Sequence, residues 1–137
     1  MTKEIWINLP VKDVSRSRDF FTSIGFRLNE HYGNNDSSAS LFIGHKNIVL
    51  MLFAESIFKG FVQHPVSDTK QGSEVLFSLD AESRAEVDEM AKKAEAAGGH
   101  VFGKPGESQG WMYGCGFTDP DGHRWNVLHM DFSKMPK

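Results

Sequence analysis

The sequence predicts an α+β fold made of two βαβββ modules, each forming a cupped mixed sheet. Three observations predict it: the order strand, helix and three strands occurs twice, one polar linker separates the two occurrences, and the composition is globular. The chain has 137 residues, of which 39% are hydrophobic and 24% charged, a balance typical of one domain. We assign the modules to residues 1–55 and 73–131, joined by a linker at 56–72, within a single domain spanning 1–137.

The first module begins with a strand and a capped helix. Residues 5–11 alternate apolar and other side chains, which predicts a half-buried strand with Trp6 and Asn8 on the face opposite Ile7. Asp13 stands as the N-cap of a helix that ends at Gly25. A strand near 26–32, a turn at 33–38 and a hairpin over 41–43 and 48–53 complete the module.

The second module repeats this order after a short amphipathic segment at 55–63 and a non-periodic stretch at 64–73. Residues 74–79 are predicted as a strand. Ser83 and Glu86 have the spacing of a capping box before an apolar stripe that ends at Gly98-Gly99. Three further strands are predicted, over 100–102, 111–118 and 123–130.

The segment Asp119-Pro120-Asp121-Gly122 predicts a tight turn between the last two strands, because a type I turn prefers Asp, Pro and Gly at those positions. A simple four-residue loop places Cys115 opposite Asn126 and Gly116 opposite Trp125. Trp125 then covers Gly114 and Gly116, where there is room for an indole. A bulge shifts this pairing by one residue, and both arrangements are open at this point.

Charge and cysteine content exclude several classes of protein. The net charge is -3 and the basic residues are scattered, which argues against a nucleic-acid surface or a polybasic membrane patch. No apolar run approaches the roughly 20 residues of a membrane-spanning helix, and we expect no secretory signal. Cys115 is the single cysteine, so internal disulfides and thiolate metal clusters are excluded and a cytoplasmic location is expected.

Several motifs resemble the vicinal oxygen chelate superfamily, which includes glyoxalase I, extradiol dioxygenases, and the bleomycin- and fosfomycin-resistance proteins. The residues that carry the resemblance are Leu9-Pro10-Val11-Lys12-Asp13, Phe20-Phe21, Gly25-Phe26 and Asp119-Pro120-Asp121-Gly122-His123. The resemblance covers nearly the whole chain. It implies the glyoxalase/bleomycin resistance/dihydroxybiphenyl dioxygenase fold, and it is less specific for the reaction because the superfamily hosts several chemistries.

A narrower resemblance is to the glyoxalase-like proteins known as predicted lactoylglutathione lyases. It rests on Val11-Lys12-Asp13, Ser83-Arg84, Ala97-Gly98-Gly99, Met112-Tyr113-Gly114 and Asp121-Gly122-His123-Arg124-Trp125. This resemblance implies a lyase-like protein. It also implies a homodimer, because modules of this family commonly pair across chains, with the cavities at or near the subunit interface.

In the metal-dependent members, four side chains, usually His and Glu, hold a divalent ion on the concave face, where it acts as a Lewis acid. The resemblance places these positions at Trp6, Met51, Glu74 and Asn126. Trp and Met offer neither an oxygen nor an imidazole nitrogen, and Asn is a weak neutral ligand. Glu74 alone keeps a charged ligand type, so the ligand positions do not support a metal site and we expect no cofactor; a bound divalent metal is the alternative.

The concave faces of the sheets are predicted to hold a small ligand. Glu74 is the predicted catalytic residue, as a general base in an apolar cavity; the alternative is a strand-end Glu in solvent. The residues predicted to bind the ligand are Trp6, Asn8, Met51, Phe58, Tyr113, Cys115 and Asn126.

Five of these residues also have structural interpretations that involve no ligand. Trp6 and Asn8 form a ligand wall, or they pack the cavity at a dimer seam. Tyr113 presents its hydroxyl to the ligand, or it packs. Cys115 is a nucleophile or a small residue packed in a strand, and the absence of a nearby His favours packing. Phe58, together with Phe61, covers the pocket or anchors the linker to the dimer.

Two functions follow from the sequence. The first is a glyoxalase-like lyase that acts on a small carbonyl or thiol-conjugated substrate with Glu74 as the base. The second is a metal-independent protein of the bleomycin-resistance type that binds or sequesters a ligand without catalysis. The replaced ligand positions favour the second function, and the narrower resemblance favours the first.

Overall fold

The computed structural model describes residues 1–136, and the chain forms two compact units that meet between Asp68 and Thr69. This boundary lies inside the segment predicted as the linker. Each unit contains one four-stranded mixed sheet, and the described residues form three α-helices in all. The predicted α+β class, with two mixed sheets, is confirmed.

The first unit has the strands β1 (Trp6–Val11), β2 (Arg27–Leu28), β3 (Ser38–Ile43) and β4 (Ile48–Ala54), and the helices α1 (Val14–Ser23) and α2 (Glu55–Val62). The strands lie in the order β1-β4-β3-β2, with β1 and β4 parallel. Asp13 caps α1 by accepting a hydrogen bond from the Arg16 backbone N–H at 3.0 Å, as predicted. Phe20 and Phe21 of α1 are fully buried.

The strand predicted near 26–32 has only two residues, because Asn29 diverts the chain. The Asn29 side chain donates to the Ser40 hydroxyl at 3.1 Å and accepts from the His31 backbone N–H at 3.1 Å. Asn34 adds a hydrogen bond to the Asn29 carbonyl. Such local side-chain bonds compete with a sheet ladder, so β2 ends early and the chain loops back to β3.

The second unit has the strands β5 (Leu76–Asp80), β6 (His100–Ser108), β7 (Met112–Thr118) and β8 (Arg124–Met130), the helix α3 (Arg84–Ala96) and one 3-10 turn (Phe132–Lys134). The strands lie in the order β5-β8-β7-β6. β5 begins two residues later than predicted. β6 is six residues longer than predicted, because two irregularities in its pairing with β7, on either side of Gly103, accommodate Pro105 within the strand.

The turn between β7 and β8 contains a bulge. The Gly122 N–H donates to the Asp119 carbonyl at 3.0 Å, as in a type I turn, and the Asp119 N–H donates to the His123 carbonyl at 3.1 Å. Gly122 has a φ of 88°, which a glycine adopts without strain. The loop therefore contains one residue more than the simple turn.

This extra residue shifts the register of the hairpin. Cys115 lies opposite Val127, Gly116 opposite Asn126, and Phe117 opposite Trp125. The pairing expected from a simple loop is therefore wrong, and the bulged alternative is correct. Trp125 does not cover the glycines; it is buried beside Phe77, with ring centroids 4.7 Å apart.

None of the helices in the described part of the chain combines the length and apolar character that crossing a membrane requires.

Candidate functional site

The second sheet has one face covered by α3 and one face that α3 leaves free, which we call the open face. Cys115 points to the covered face, because its thiol approaches the Val87 carbonyl of α3 at 3.8 Å. Side chains alternate along a strand, so Gly114 and Gly116 on β7 belong to the open face. By the same alternation, Trp125 and Val127 of β8 are buried and their neighbours Arg124, Asn126 and Leu128 face the other way.

The open face carries a cavity of about 660 Å³. Its lining is mainly apolar and includes Leu76, Phe102, Met112 and Leu128. A small number of polar and charged residues also line it: Ser73, Glu74, Lys104, Ser108, Arg124 and Asn126.

Two glycines of β7 make room for the floor of this cavity. A Cβ atom on Gly116 would lie 2.5 Å from the ring of Phe102, and one on Gly114 would lie 2.6 Å from Leu128 Cδ2 and 2.7 Å from the Val127 carbonyl oxygen. Phe102 and Leu128 therefore rest directly on the backbone of β7. Any larger residue at these two positions would lift them from the sheet.

Arg124 is a charged residue of the cavity lining that contacts an aromatic ring. Its guanidinium lies over the ring of Phe102, 4.3 Å from the ring centroid. Within residues 1–136, no carboxylate forms an ion pair with it. The side-chain oxygen of Asn126, also in the lining, is buried and has no hydrogen-bond partner among the described residues.

Glu74, the predicted general base, borders this cavity from an exposed segment two residues before β5. It is therefore both accessible to solvent and able to reach a ligand in the cavity. This position is compatible with both alternatives from the sequence, a general base in the cavity and a strand-end Glu in solvent. A functional experiment has to distinguish them.

The functional groups of Tyr113 and Cys115 point away from the cavity, towards α3. The Tyr113 hydroxyl donates to Asp88 Oδ1 at 2.6 Å, and this bond raises the pKa of Tyr113. Arg84 lies over the Tyr113 ring, 4.9 Å from its centroid, and pairs with Glu107. Cys115 borders the cavity, but burial raises the pKa of its thiol. The packing alternative describes the placement of both residues.

The other predicted binding residues belong to the first unit. Trp6 and Asn8 lie on one face of β1, and Asn8 pairs with Met51 of β4. Met51 is half-buried beside Gly33, where a Cβ atom would lie 2.9 Å from Met51 Cε. Trp6 is 57% exposed. These three residues thus share one sheet face, as predicted.

Phe58 lies on α2, which packs on β1 and β4. It is half-buried, while Phe61 on the same helix makes an edge-to-face contact with Phe53 at 5.0 Å. These contacts hold α2 on the sheet of the first unit.

The residues at the four positions that the sequence resemblance assigns to a metal do not fit one. Trp6 and Met51 are not opposite each other, because Trp6 pairs with Val49. Asn126 pairs with Ser78, four residues after Glu74. Within residues 1–136, no three His, Cys, Asp or Glu side chains come together as metal ligands. One carboxylate and one amide at separate register positions are too few donors for a divalent ion.

Sequence reasoning missed two residues of this site, Arg124 and Phe102. Arg124 could have been found, because it lies two residues before Asn126 on a strand and so shares its face. Phe102 could not, because its position over Gly116 depends on the irregular pairing of β6 with β7.

Comparison with known proteins agrees with this architecture. A sequence profile of the Glyoxalase/Bleomycin resistance protein/Dioxygenase superfamily matches residues 5–127. No protein among those with curated descriptions matches the chain.

Similar solved structures include hypothetical protein SA1046 from S. aureus, with 32% sequence identity, coverage of 94% of both chains and a TM-score of 0.81. A glyoxalase/bleomycin resistance protein/dioxygenase family enzyme from Burkholderia phytofirmans PsJN has 18% identity, coverage of 92% of this chain and 97% of that one, and a TM-score of 0.77. A lactoylglutathione lyase from Agrobacterium tumefaciens has 19% identity, coverage of 94% of both chains and a TM-score of 0.65.

The profile match spans nearly the whole chain, and the two mixed sheets agree with it. The chain therefore belongs to the glyoxalase/bleomycin resistance protein/dioxygenase superfamily.

Proposed function

We propose that this protein binds a small organic molecule in the open-face cavity and does so without a metal ion. The observation that carries the proposal is the cavity itself. Its volume of about 660 Å³ lies within the range of roughly 300–1,000 Å³ typical of small-molecule sites. Its lining is also typical of such sites, with a mainly apolar surface and a few polar groups.

The chemistry of the side chains supports the metal-free part of the proposal. Among residues 1–136, Glu74 is the only carboxylate that lines the cavity, and Asn126 offers a neutral oxygen. Binding would therefore depend on apolar contact and on hydrogen bonds from this chain alone.

A neutral fluorescent probe, N-phenyl-1-naphthylamine, tests the binding proposal, because its emission rises in an apolar cavity. We expect saturable binding that EDTA leaves unchanged. Leu76→Asp, which puts a charge on the cavity lining, should weaken binding about tenfold or more, since a buried charge near an apolar ligand is costly. Leu28→Asp, a change of another exposed leucine outside the cavity lining, is the matched control. Failure of the probe to bind, or equal weakening by both variants, would contradict the proposal.

Metal content tests the second half of the proposal. Protein purified without a metal-affinity column, with and without added Ni, Zn, Mn or Fe, should retain well below one ion per chain. A tightly held ion at about one per chain would show that the ligand positions are wrong, and metal-assisted lyase chemistry would then lead.

A lyase reaction with Glu74 as the base is the second candidate function. It is favoured by the position of Glu74 at the cavity. Formation of S-lactoylglutathione from the hemithioacetal of methylglyoxal and glutathione, followed by absorbance, tests it: Glu74→Gln should reduce turnover by about a hundredfold, within the range for loss of a general base. Glu95→Gln, on the exposed surface of α3, should leave turnover unchanged. Equal activity of the wild type and Glu74→Gln would rule out this role.

The proposal includes a second copy of this chain as the partner and the cytoplasm as the location. The exposed apolar residues Ile5 and Trp6 support a second copy as the partner. The single cysteine, which is free and buried, supports the cytoplasm as the location.

A further inference from the structure

We infer that the ligand of the open-face cavity carries a carboxylate and that Arg124 binds this group. The inference rests on the proposed binding function and adds the chemical class of the ligand. Three observations carry it: the stacked position of Arg124, its lack of a charged partner among the described residues, and the balance of charge in the cavity.

The position of Arg124 is built by three strands. Gly116 of β7 leaves space for the ring of Phe102 from β6, and the Arg124 guanidinium from β8 lies 4.3 Å from the centroid of that ring. Contact with the ring restricts the movement of the guanidinium, whose N–H donors lie in its own plane. Less side-chain entropy is then lost when a ligand binds.

Among the described residues, Arg124 lacks the ionic partner that a surface arginine commonly has. No carboxylate of residues 1–136 forms an ion pair with it, although Glu74 lines the same cavity. By contrast, Arg84 on the covered side of the sheet pairs with Glu107. A planar guanidinium with free N–H edges matches a carboxylate, to which it can donate two parallel hydrogen bonds.

The charge of the cavity favours an anion. Its charged lining residues are Lys104 and Arg124, which are positive, and Glu74, which is negative, so the lining has an excess of one positive charge. The apolar surface of Leu76 and Leu128 lowers the local dielectric constant and strengthens this attraction. Asn126 gives the same face a further polar contact.

A matched pair of probes tests the inference: 1-naphthylacetate, which is an anion, and 1-naphthylacetamide, which has nearly the same shape and no charge. Each competes with N-phenyl-1-naphthylamine for the cavity. We expect the acetate to bind about tenfold tighter, the effect of one charge-assisted hydrogen-bond pair. Arg124→Gln should remove this preference and leave the affinity for the amide within about twofold. Lys92→Gln, on the exposed surface of α3, should keep the preference.

A second variant tests the inference even if Arg124→Gln does not fold. Phe102→Leu removes the stacking ring from a residue that is 43% exposed. It should reduce the preference for the acetate about threefold, because the attraction between a cation and an aromatic ring is modest at an exposed site.

The outcomes separate this inference from the proposed function. Equal affinity for the two probes in the wild type, or a preference that survives Arg124→Gln, would overturn the inference while probe binding still supports the cavity. Failure of every probe, including N-phenyl-1-naphthylamine, would overturn the proposed function itself. 1-Naphthyl phosphate is the third probe. If it binds more tightly than the acetate, the group that Arg124 binds would be a phosphate ester and the carboxylate inference would be overturned.

Discussion

Asp119 connects the turn between β7 and β8 to the core of the second unit. Its Oδ1 accepts from the backbone N–H groups of Asp121 at 3.0 Å and His123 at 3.1 Å, and its Oδ2 accepts from Trp125 Nε1 at 3.1 Å. The residue is 3% exposed. Burial raises the pKa of this carboxyl, and the nearby His123 and the bond from Trp125 act in the opposite direction.

Replacement of this carboxylate should be costly. Asp119→Ala removes a buried acceptor from the Trp125 indole N–H and from two backbone N–H groups, and we expect the free energy of unfolding to fall by about 2–4 kcal/mol. Urea unfolding followed by tryptophan fluorescence measures the change. Asp36→Ala, at an exposed position in the first unit, should change stability by less than about 0.5 kcal/mol. A loss below about 1 kcal/mol for Asp119→Ala would show that water replaces the carboxylate.

The buried thiol of Cys115 predicts slow alkylation and a particular pH dependence. Burial, with a smaller contribution from Asp88, raises the pKa of the thiol in the folded protein. The thiol therefore adds stability that is complete below its unfolded pKa and is lost as the pH rises through the folded pKa.

Iodoacetamide labelling at pH 8 should be much slower in the native protein than in urea, because the thiolate is the nucleophile. Unfolding at increasing pH should also show a smaller decline for Cys115→Ala than for the wild type. Native labelling at the rate of free glutathione would mean that the thiol is accessible and ionised.

At the scale of elements, β7 depends on glycine at particular positions. Gly114→Ala would bring a Cβ atom to 2.7 Å from the Val127 backbone oxygen, and backbone cannot move aside as a side-chain end can. We expect a loss of about 1–3 kcal/mol in the free energy of unfolding.

Gly103→Ala is the matched control on the neighbouring strand. Its Cβ would lie 3.5 Å from the nearest atom, an ordinary contact. The change should leave stability within about 0.5 kcal/mol or raise it slightly, since alanine restricts the unfolded chain. Equal effects of the two substitutions in urea unfolding would show that close packing on β7 is not the cause.

The elements themselves were largely predictable. Alternation in residues 5–11, the Asp13 cap and the apolar stripe after Ser83 are local signals, and β1, α1 and α3 follow them closely. β2 and β6 were predicted with the wrong lengths. Asn29 ends β2 by hydrogen bonds to Ser40, eleven residues away, and β6 extends because its irregular pairing with β7 accepts a proline.

At the scale of the whole molecule, each sheet has one face packed on a helix, and apolar side chains remain exposed elsewhere. Ile5 is 67% exposed and Trp6 57%. Apolar groups of this size in water are a common mark of an interface.

We therefore expect a dimer in sedimentation velocity, at about twice the 15.4 kDa of one chain. Trp6→Lys should shift the population towards the monomer by placing a charge in the interface. Tyr32→Lys, at an aromatic residue exposed to a similar degree in a loop, should not. A wild type that sediments as a monomer at all concentrations would contradict the proposed partner.

The candidate site was predicted in part. Asn126 and Glu74 border the cavity of the second unit, and Trp6, Asn8 and Met51 share one face of the first sheet. The functional groups of Tyr113 and Cys115 point to α3 instead. The single extra residue in the 119–123 loop, which a local turn motif does not specify, shifts the β8 partners of both residues by one position.

The sequence by itself determined the class of fold, the repeated order of elements and the turn at Asp119, because periodicity, caps and turn chemistry act within a few neighbouring residues. Only the tertiary structure decided the register of β7 against β8 and the stack of Gly116, Phe102 and Arg124. That stack joins three strands, and its geometry depends on bulges and close approaches between residues far apart in the chain. Non-local packing thus decides which side chains meet in the cavity.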